Sequence, residues 1–295
     1  MMNVSVSTVA TTPTRHPLMA DVDALQTLAN KLRQPALEMI FKAQSGHPGT
    51  SFSCMDILVA LWFGHMRHQV DQPDWADRDR FIMSKGHGAP ALYAVLMSLG
   101  HLSFDEIHTL RQVNSRLQGH PASKYLDGVD VSTGSLGQGL SAAVGMALGL
   151  RLNQSPARVY ALLGDGECQE GNIWEAFMSG AHHGVSRLTA IIDRNTLQID
   201  GSTEHVKALG DVAAKVKAFG WHVIETNGHD MTALLEALRQ ADHLAETTDK
   251  PTCIVAHTTK GKGVSFMENQ AGWHGKAPNE AQYEAAIAEL KALLA

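Results

Sequence analysis

The chain has 295 residues, 44% of them hydrophobic, and a formal charge of −6, so it can bury a large core but has no basic surplus with which to hold nucleic acid. Three cysteines, Cys54, Cys168 and Cys253, form no CxxC pair and sit in or beside apolar sequence, the pattern of reduced thiols in a cytoplasmic protein and not of a disulfide framework. No apolar run approaches the ~20 residues of a membrane span, so no membrane role is expected.

Residues 1–20 are rich in Ser and Thr, lack the apolar core of a signal peptide and read as a flexible N-terminal tail; one domain is expected over 21–295. Apolar residues at helical spacing predict a helix from Asp21 to Ser45, with Asp21 as N-cap and a kink at Pro35. A Gly-His-Pro turn then presents His47 ahead of an apolar helix over Ser53–Phe63. Arg80–Met83 reads as a short strand that delivers His87, flanked by Gly86 and Gly88, to a helix N-terminus, where an anion is favoured. A helix is predicted over Ser103–Val113. A second Gly-His-Pro turn carries His120, and Gly134, Gly137 and Gly139 lead into a small-residue helix over Ser141–Leu150, suited to close packing on another backbone or to subunit contact.

The stretch from Arg158 to Gly201 organises the rest. An apolar run (Val159–Leu163) ends in Gly164-Asp165-Gly166, a helix follows (Asn172–His183), and a second apolar run (Leu188–Ile192) ends in Asp193-Arg194-Asn195. Such a crossover makes the strands parallel and brings both carboxyl ends to one edge of the sheet, so Asp165 and Asn195 can meet. A carboxylate and an amide oxygen are hard ligands of low total charge, suited to Mg²⁺ or Ca²⁺ with a phosphate group completing the shell. The glycines let backbone approach such a ligand, while the absence of GxxxxGK[ST] and GxGxxG disfavours nucleotide readings. Beyond this unit, Lys207–Phe219 is expected to be helical, Trp221–Thr226 a strand, Met231–Ala245 a helix, Thr252–His257 the last strand and Asn279–Leu294 an amphipathic helix. A long Gly-rich loop carrying His274 follows the last strand. Strands alternating with helices predict a doubly wound α/β fold, mainly parallel, with its ligand at the strand carboxyl ends.

The GDG-to-Asn unit resembles the thiamine diphosphate enzymes. With SGHPG, RDRFIMSKGHG, QGHP, TGSLGQG, GECQEGNIWEA and WHGKAP in order, nearly the whole chain after residue 20 is similar to the amino-terminal part of transketolase. The resemblance implies a divalent metal, Mg²⁺ with Ca²⁺ or Mn²⁺ as substitutes, held by Asp165, Asn195 and the carbonyl of Leu197. It implies diphosphate contacts from Gly166, Asn195, His87 and His274, and thiamine contacts from Gly134, Ser135 and Leu136. His47, His120 and His274 match histidines that face the reacting carbon and the sugar hydroxyls. Imidazole titrates near working pH and so suits the proton transfers that ketose cleavage needs. Glu170 matches a carboxylate at the subunit interface, whereas the residues alone make it a cap of the following helix.

Ser135 stands where many relatives have proline. Family members continue into a pyrimidine-binding domain, so the resemblance implies one half of a split transketolase. It would transfer a two-carbon ketol unit between sugar phosphates only with a separate C-terminal subunit, in an α₂β₂ assembly with homodimeric contact. Two further readings stand beside this one: a non-catalytic metal-diphosphate-binding regulatory module, and a deoxyxylulose phosphate synthase-like enzyme. EGNIWEA and the His47, His120, His274 set argue against the second.

Overall fold

The structure, a computed structural model, describes residue 18 and residues 21–294; the predicted tail over 1–20 lies outside the described residues except at Leu18. Its centre is a five-stranded sheet of β1 (Arg80–Met83), β2 (Val159–Gly164), β3 (Leu188–Arg194), β6 (His222–Asn227) and β7 (Thr252–His257), in the order β1-β2-β3-β7-β6. Every pair in it is parallel. A two-residue antiparallel pair, β4 (Leu197–Gln198) with β5 (Gly201–Ser202), folds back just past β3. The doubly wound α/β fold is therefore as the sequence predicts.

The helices are α1 (Val22–Ala43), α2 (Pro48–Ser53), α3 (Met55–Gly64), α4 (Ala89–Leu99), α5 (Gln138–Leu152), α6 (Gly171–His182), α7 (Thr203–Lys207), α8 (Val212–Ala218), α9 (Met231–Thr247) and α10 (Glu280–Ala292). Side chains alternate across the strands, so two cores form. Phe81, Met83, Tyr160, Leu162, Ile191 and Ile254 pack with α1, α3, α4, α9 and α10, and Ile82, Ala161, Leu163, Ala190, Ile192 and Val255 pack with α5, α6 and α8. Asp21 caps α1 as expected, its carboxylate accepting from the amides of Asp23 and Ala24. α1 continues through Pro35 to Ala43, so the predicted kink does not end the helix.

Three predicted elements differ. The helix expected from Ser53 begins earlier, at Pro48, whose fixed φ suits a first helical turn, and the chain breaks at Cys54 before α3 starts. Ser103–Val113 forms only a 3-10 turn over Phe104–Thr109. Ser103 and Glu106 make a capping box there, but Arg111 and Asn114 take left-handed backbone (φ 60° and 65°) and end it. Of Lys207–Phe219, Lys207 ends α7 and only Val212–Ala218 forms a helix, α8; Gly210, where φ is 57°, lies in the break between them.

Close approach governs the start of α5. A Cβ on Gly139 would lie 2.7 Å from the Cα of Ser84, at the end of β1. Gly139→Ala is therefore expected to cost about 1–3 kcal/mol through overpacking, read as a lowered urea midpoint at unchanged m-value.

Candidate active site

The register of β2 on β3 pairs Gly164 with Asp193, so Asp165 and Asn195 leave adjacent strands at one edge, as the crossover requires. A cavity of about 320 Å³ opens there, lined by Asp165, Gly166, Glu170, Asn195 and Leu197 on one side and by His47, His87, His120 and His274 on the other; Gly134 and Leu136 also line it. Ser135 is exposed beside it, its carbonyl accepting from the amide of Gln138. Glu170 occupies the N-cap position of α6, yet its side chain makes no capping bond, and the residue lines the cavity. The capping role is thus not the one it plays.

Asp165 is buried, and its carboxylate accepts from the amides of Gly166 (2.8 Å) and Thr196 (2.5 Å) and from Arg194 (3.2 Å). Burial, and then the charge of Asp193, push its pKa up, so the site favours a cation beside it. Asn195 Oδ1 accepts from the amide of Leu197 (3.1 Å). The described residues contain no cluster of three or more His, Cys, Asp or Glu fit to hold a metal. One carboxylate with an amide oxygen and the Leu197 carbonyl is a sparse set of hard donors, which fits an ion whose remaining positions a diphosphate and water fill. The buried Nδ1 of His47 and Nε2 of Gln198, on two residues that line the cavity, have no hydrogen-bond partner among the described residues.

The histidines form one cluster. The ring centres of His47 and His87 are 5.1 Å apart, of His47 and His274 5.4 Å, and of His87 and His274 5.2 Å. His120 packs against the face of Gly134, where a Cβ would lie 3.0 Å from its Cγ. Burial holds His47 down at about 4, helped by the charges of Arg111, His120 and Lys260, and holds His274 at about 3, helped by Lys260 and His47. Burial also lowers His87 and His120. All four are therefore neutral imidazoles near neutral pH, each able to donate from one nitrogen and accept at the other.

Several polar groups in and beneath the cavity were not singled out from the sequence. Lys260, fully buried, reaches the cavity from the loop after β7; its ammonium donates to the Leu197 carbonyl (3.3 Å) and to Nδ1 of His274 (3.1 Å). A lysine only donates, so Nδ1 of His274 is an acceptor and its proton sits on Nε2. Burial and the neighbouring Lys85 depress Lys260 to about 8. Beneath the cavity, Lys85 and Asp193 form a fully buried ion pair, which Ser53 and Thr258 extend by donating to Asp193. Glu167 accepts from the amides of Gly137 (2.8 Å) and Gly164 (3.0 Å) and from Ser84, tying the Gly134–Gly137 loop to the strand ends. The available signal was positional: Lys85 follows β1 and Lys260 follows β7, at the edge where such a sheet binds its ligand.

A second cavity, of about 280 Å³, lies at the opposite edge, against Val159 and Val185. Arg151 and Arg187 there bond to loop carbonyls of His183, Gly184 and Ser155, and no titratable cluster faces it. The parallel sheet and its polar edge define a doubly wound α/β domain with its polar cavity at the carboxyl ends of the strands.

Residues 24–292 match the family model described as transketolase, thiamine diphosphate binding domain. The chain is 44% identical over 269 residues to one of the subunits of the apulose-4-phosphate transketolase of Phocaeicola vulgatus, covering 91% of this chain and 94% of that one. It is 41% identical to the 6-deoxy-6-sulfo-D-fructose transketolase subunit SqwG of a Clostridium species, covering 90% and 96%. Transketolase of Campylobacter jejuni superposes with a TM-score of 0.85 at 33% identity, over 92% of this chain and 43% of that one. The chain thus belongs to the transketolase family, as its thiamine diphosphate-binding domain, and spans less than half the length of the solved transketolases it matches.

Proposed function

We propose that this chain is the thiamine diphosphate-binding subunit of a split transketolase, transferring a two-carbon ketol unit between sugar phosphates with a separate C-terminal subunit in an α₂β₂ assembly. The carrying observation is one cavity in which Asp165, Asn195 and the Leu197 carbonyl face a cluster of four neutral histidines. Relatives of nearly the same length are named as transketolase subunits, which supports the need for a partner. Among the described residues no helix is long and apolar enough to cross a membrane, and the buried, unpaired thiols suit a reducing compartment, so we place its work in the cytoplasm.

In this reading Asp165, Asn195 and Leu197 hold Mg²⁺, with Ca²⁺ or Mn²⁺ as substitutes, against the diphosphate. Gly166 offers backbone that approaches it closely, and His87, His274 and Lys260 supply donors. Gly134 and Leu136, with Ser135 beside them, border the thiamine. Bound thiamine diphosphate supplies the stabilisation of carbanion charge that C–C cleavage beside a carbonyl requires. The protein's part is to orient the sugar and move protons. His47, with an unpartnered nitrogen, and His120, at the cavity mouth, accept or return hydroxyl protons, and Nε2–H of His274 donates into the cavity. Glu170, on the rim, faces the subunit contact.

The test is transfer from a ketose phosphate to an aldose acceptor with thiamine diphosphate and Mg²⁺, by this chain alone and mixed with a C-terminal transketolase subunit. Activity is expected only in the mixture. Full activity of the chain alone, or silence in a mixture shown to assemble, would sink the proposal.

A further inference from the structure

One side chain joins the second Gly-His-Pro turn to the residue just before the first. Arg111 lies on the exposed loop after the Phe104–Thr109 turn and takes left-handed backbone (φ 60°), a conformation that non-glycine residues adopt rarely and that calls for a cause. Its guanidinium donates from Nη1 to Oγ of Ser45 (3.0 Å), two residues before His47, and from Nη2 to the carbonyl of Gly119 (3.5 Å), the residue before His120. It lies flat on Gly119, where a Cβ would stand 3.0 Å from Nε and 3.1 Å from Cζ, so the glycine in this turn makes room for the arginine. The amide of Arg111 is tied to the Leu117 carbonyl (2.8 Å), which fixes the loop's own end.

From the core side, each turn is held separately. Ser51 Oγ donates to the His47 carbonyl (2.8 Å), while Tyr93 Oη donates to the carbonyls of Gln118 (2.8 Å) and His120 (3.3 Å). Of these groups, Arg111 alone spans the two turns. It makes no salt bridge among the described residues, so its charge is not neutralised by a carboxylate.

We propose that Arg111 is a positioning residue, a two-point clamp that fixes the His47 turn against the His120 turn at the cavity mouth and keeps a positive charge beside both imidazoles. A planar guanidinium donates in two directions at once, which an ammonium on a flexible stem does not reproduce. The role rests on the split-transketolase reading for its catalytic meaning, but the geometry belongs to this chain alone. The charge acts in the same sense as burial: after desolvation, Arg111 is the leading influence lowering both His47 and His120. His120 and Lys260 also face His47 and lower it further, with the rings of His87 and His274 packed on it; for His120 burial and Arg111 are the influences.

The experiment compares Arg111→Gln and Arg111→Lys with the parent by three readouts. These are thermal unfolding of the chain, histidine side-chain NMR titration of the chain, and kcat/KM of the assembly with its C-terminal partner. Arg111 is exposed, so both variants are expected to fold and melt as the parent does. Arg111→Gln is expected to move the titrations of His47 and His120 to higher pH and to lower kcat/KM by about ten- to a hundredfold, the scale of a misplaced reacting group. Arg111→Lys retains charge and is expected to hold both titrations near the parent's while still losing kcat/KM, because it spans only one turn. Unchanged titrations in Arg111→Gln, or full kcat/KM in either variant, would overturn the clamp. Should the parent assembly be inactive, the split-transketolase reading falls by itself, and the titrations of the isolated chain still decide whether Arg111 sits against both histidines.

Discussion

Asp193→Ala is expected to destabilise the chain by about 3–5 kcal/mol, the usual result of leaving one partner of a buried ion pair without its counter-charge. Asp193 and Lys85 are both fully buried at the ends of β3 and β1; the ammonium also reaches Thr50, whose hydroxyl accepts at 2.9 Å and whose carbonyl accepts at 3.4 Å, and lies beside the Cys54 thiol, neither of which carries a compensating charge. Burial alone would push the Asp193 carboxyl up, but Lys85 and the hydroxyls of Ser53 and Thr258 outweigh it and hold the carboxyl below its ordinary range. Lys85 is likewise held above its ordinary value, its burial outweighed by Asp193. The signs follow. The contribution of Asp193 is complete above the unfolded carboxyl pKa of about 3.9 and is lost as pH falls through the folded value. That of Lys85 is complete below about 10.4 and is lost as pH rises through its folded value. Urea unfolding near neutral pH tests the magnitude, and a cost below about 1 kcal/mol would contradict the pairing. The paired variant Lys85→Met, Asp193→Leu separates charge from packing: it removes both charges and is expected to recover most of the loss.

That pair also shows what was legible in the sequence. Asp193 and Lys85 stand 108 positions apart, and neither belongs to a local pattern that announces burial. The strands were legible because an apolar run bounded by glycine and polar residues leaves few alternatives, and Asp165 and Asn195 were legible because one crossover unit fixes their relation. The histidines flanked by glycine were likewise visible at predicted loop tips, and His47, His87, His120 and His274 do line one cavity. What local pattern misses is contact between distant loops. The amide of Gly137 bonds Glu167, thirty residues on, and Lys260 reaches back to the Leu197 carbonyl. The helix expected over Ser103–Val113 failed for a related reason. Its apolar spacing was adequate, but the chain turns at Arg111 with its guanidinium laid across to Ser45 and Gly119, partners that helical periodicity does not contain. Lys207–Phe219 failed more simply, at Gly210, which supplies the left-handed backbone of the break.

Asp165→Ala is expected to weaken Mg²⁺-dependent thiamine diphosphate binding at least about a hundredfold, and to remove ketol transfer in the assembled enzyme. The proposed donor set contains one carboxylate; the other two oxygens, from Asn195 and Leu197, are neutral. A divalent cation facing a diphosphate needs negative charge from the protein side as well as geometry, and charge count sets affinity at such sites. The same carboxylate organises the edge itself, accepting from the amides of Gly166 and Thr196 and from Arg194, so alanine removes structure along with charge. Asp165→Asn distinguishes the two. The amide oxygen can still accept from one of the two backbone amides, which reach opposite oxygens of the carboxylate, and with the buried charge gone the folded chain is relieved of the desolvation that pushes this carboxyl up. The asparagine variant should therefore melt closer to the parent than the alanine variant does, while losing the Mg²⁺-dependent part of the affinity. Calorimetric titration of the chain with thiamine diphosphate, with and without Mg²⁺, reads this directly: parent and variant should converge when the metal is chelated and diverge when it is supplied. Equal affinities in the presence of Mg²⁺ would show that Asp165 holds the loop and not the ion, and would move the metal away from this strand end.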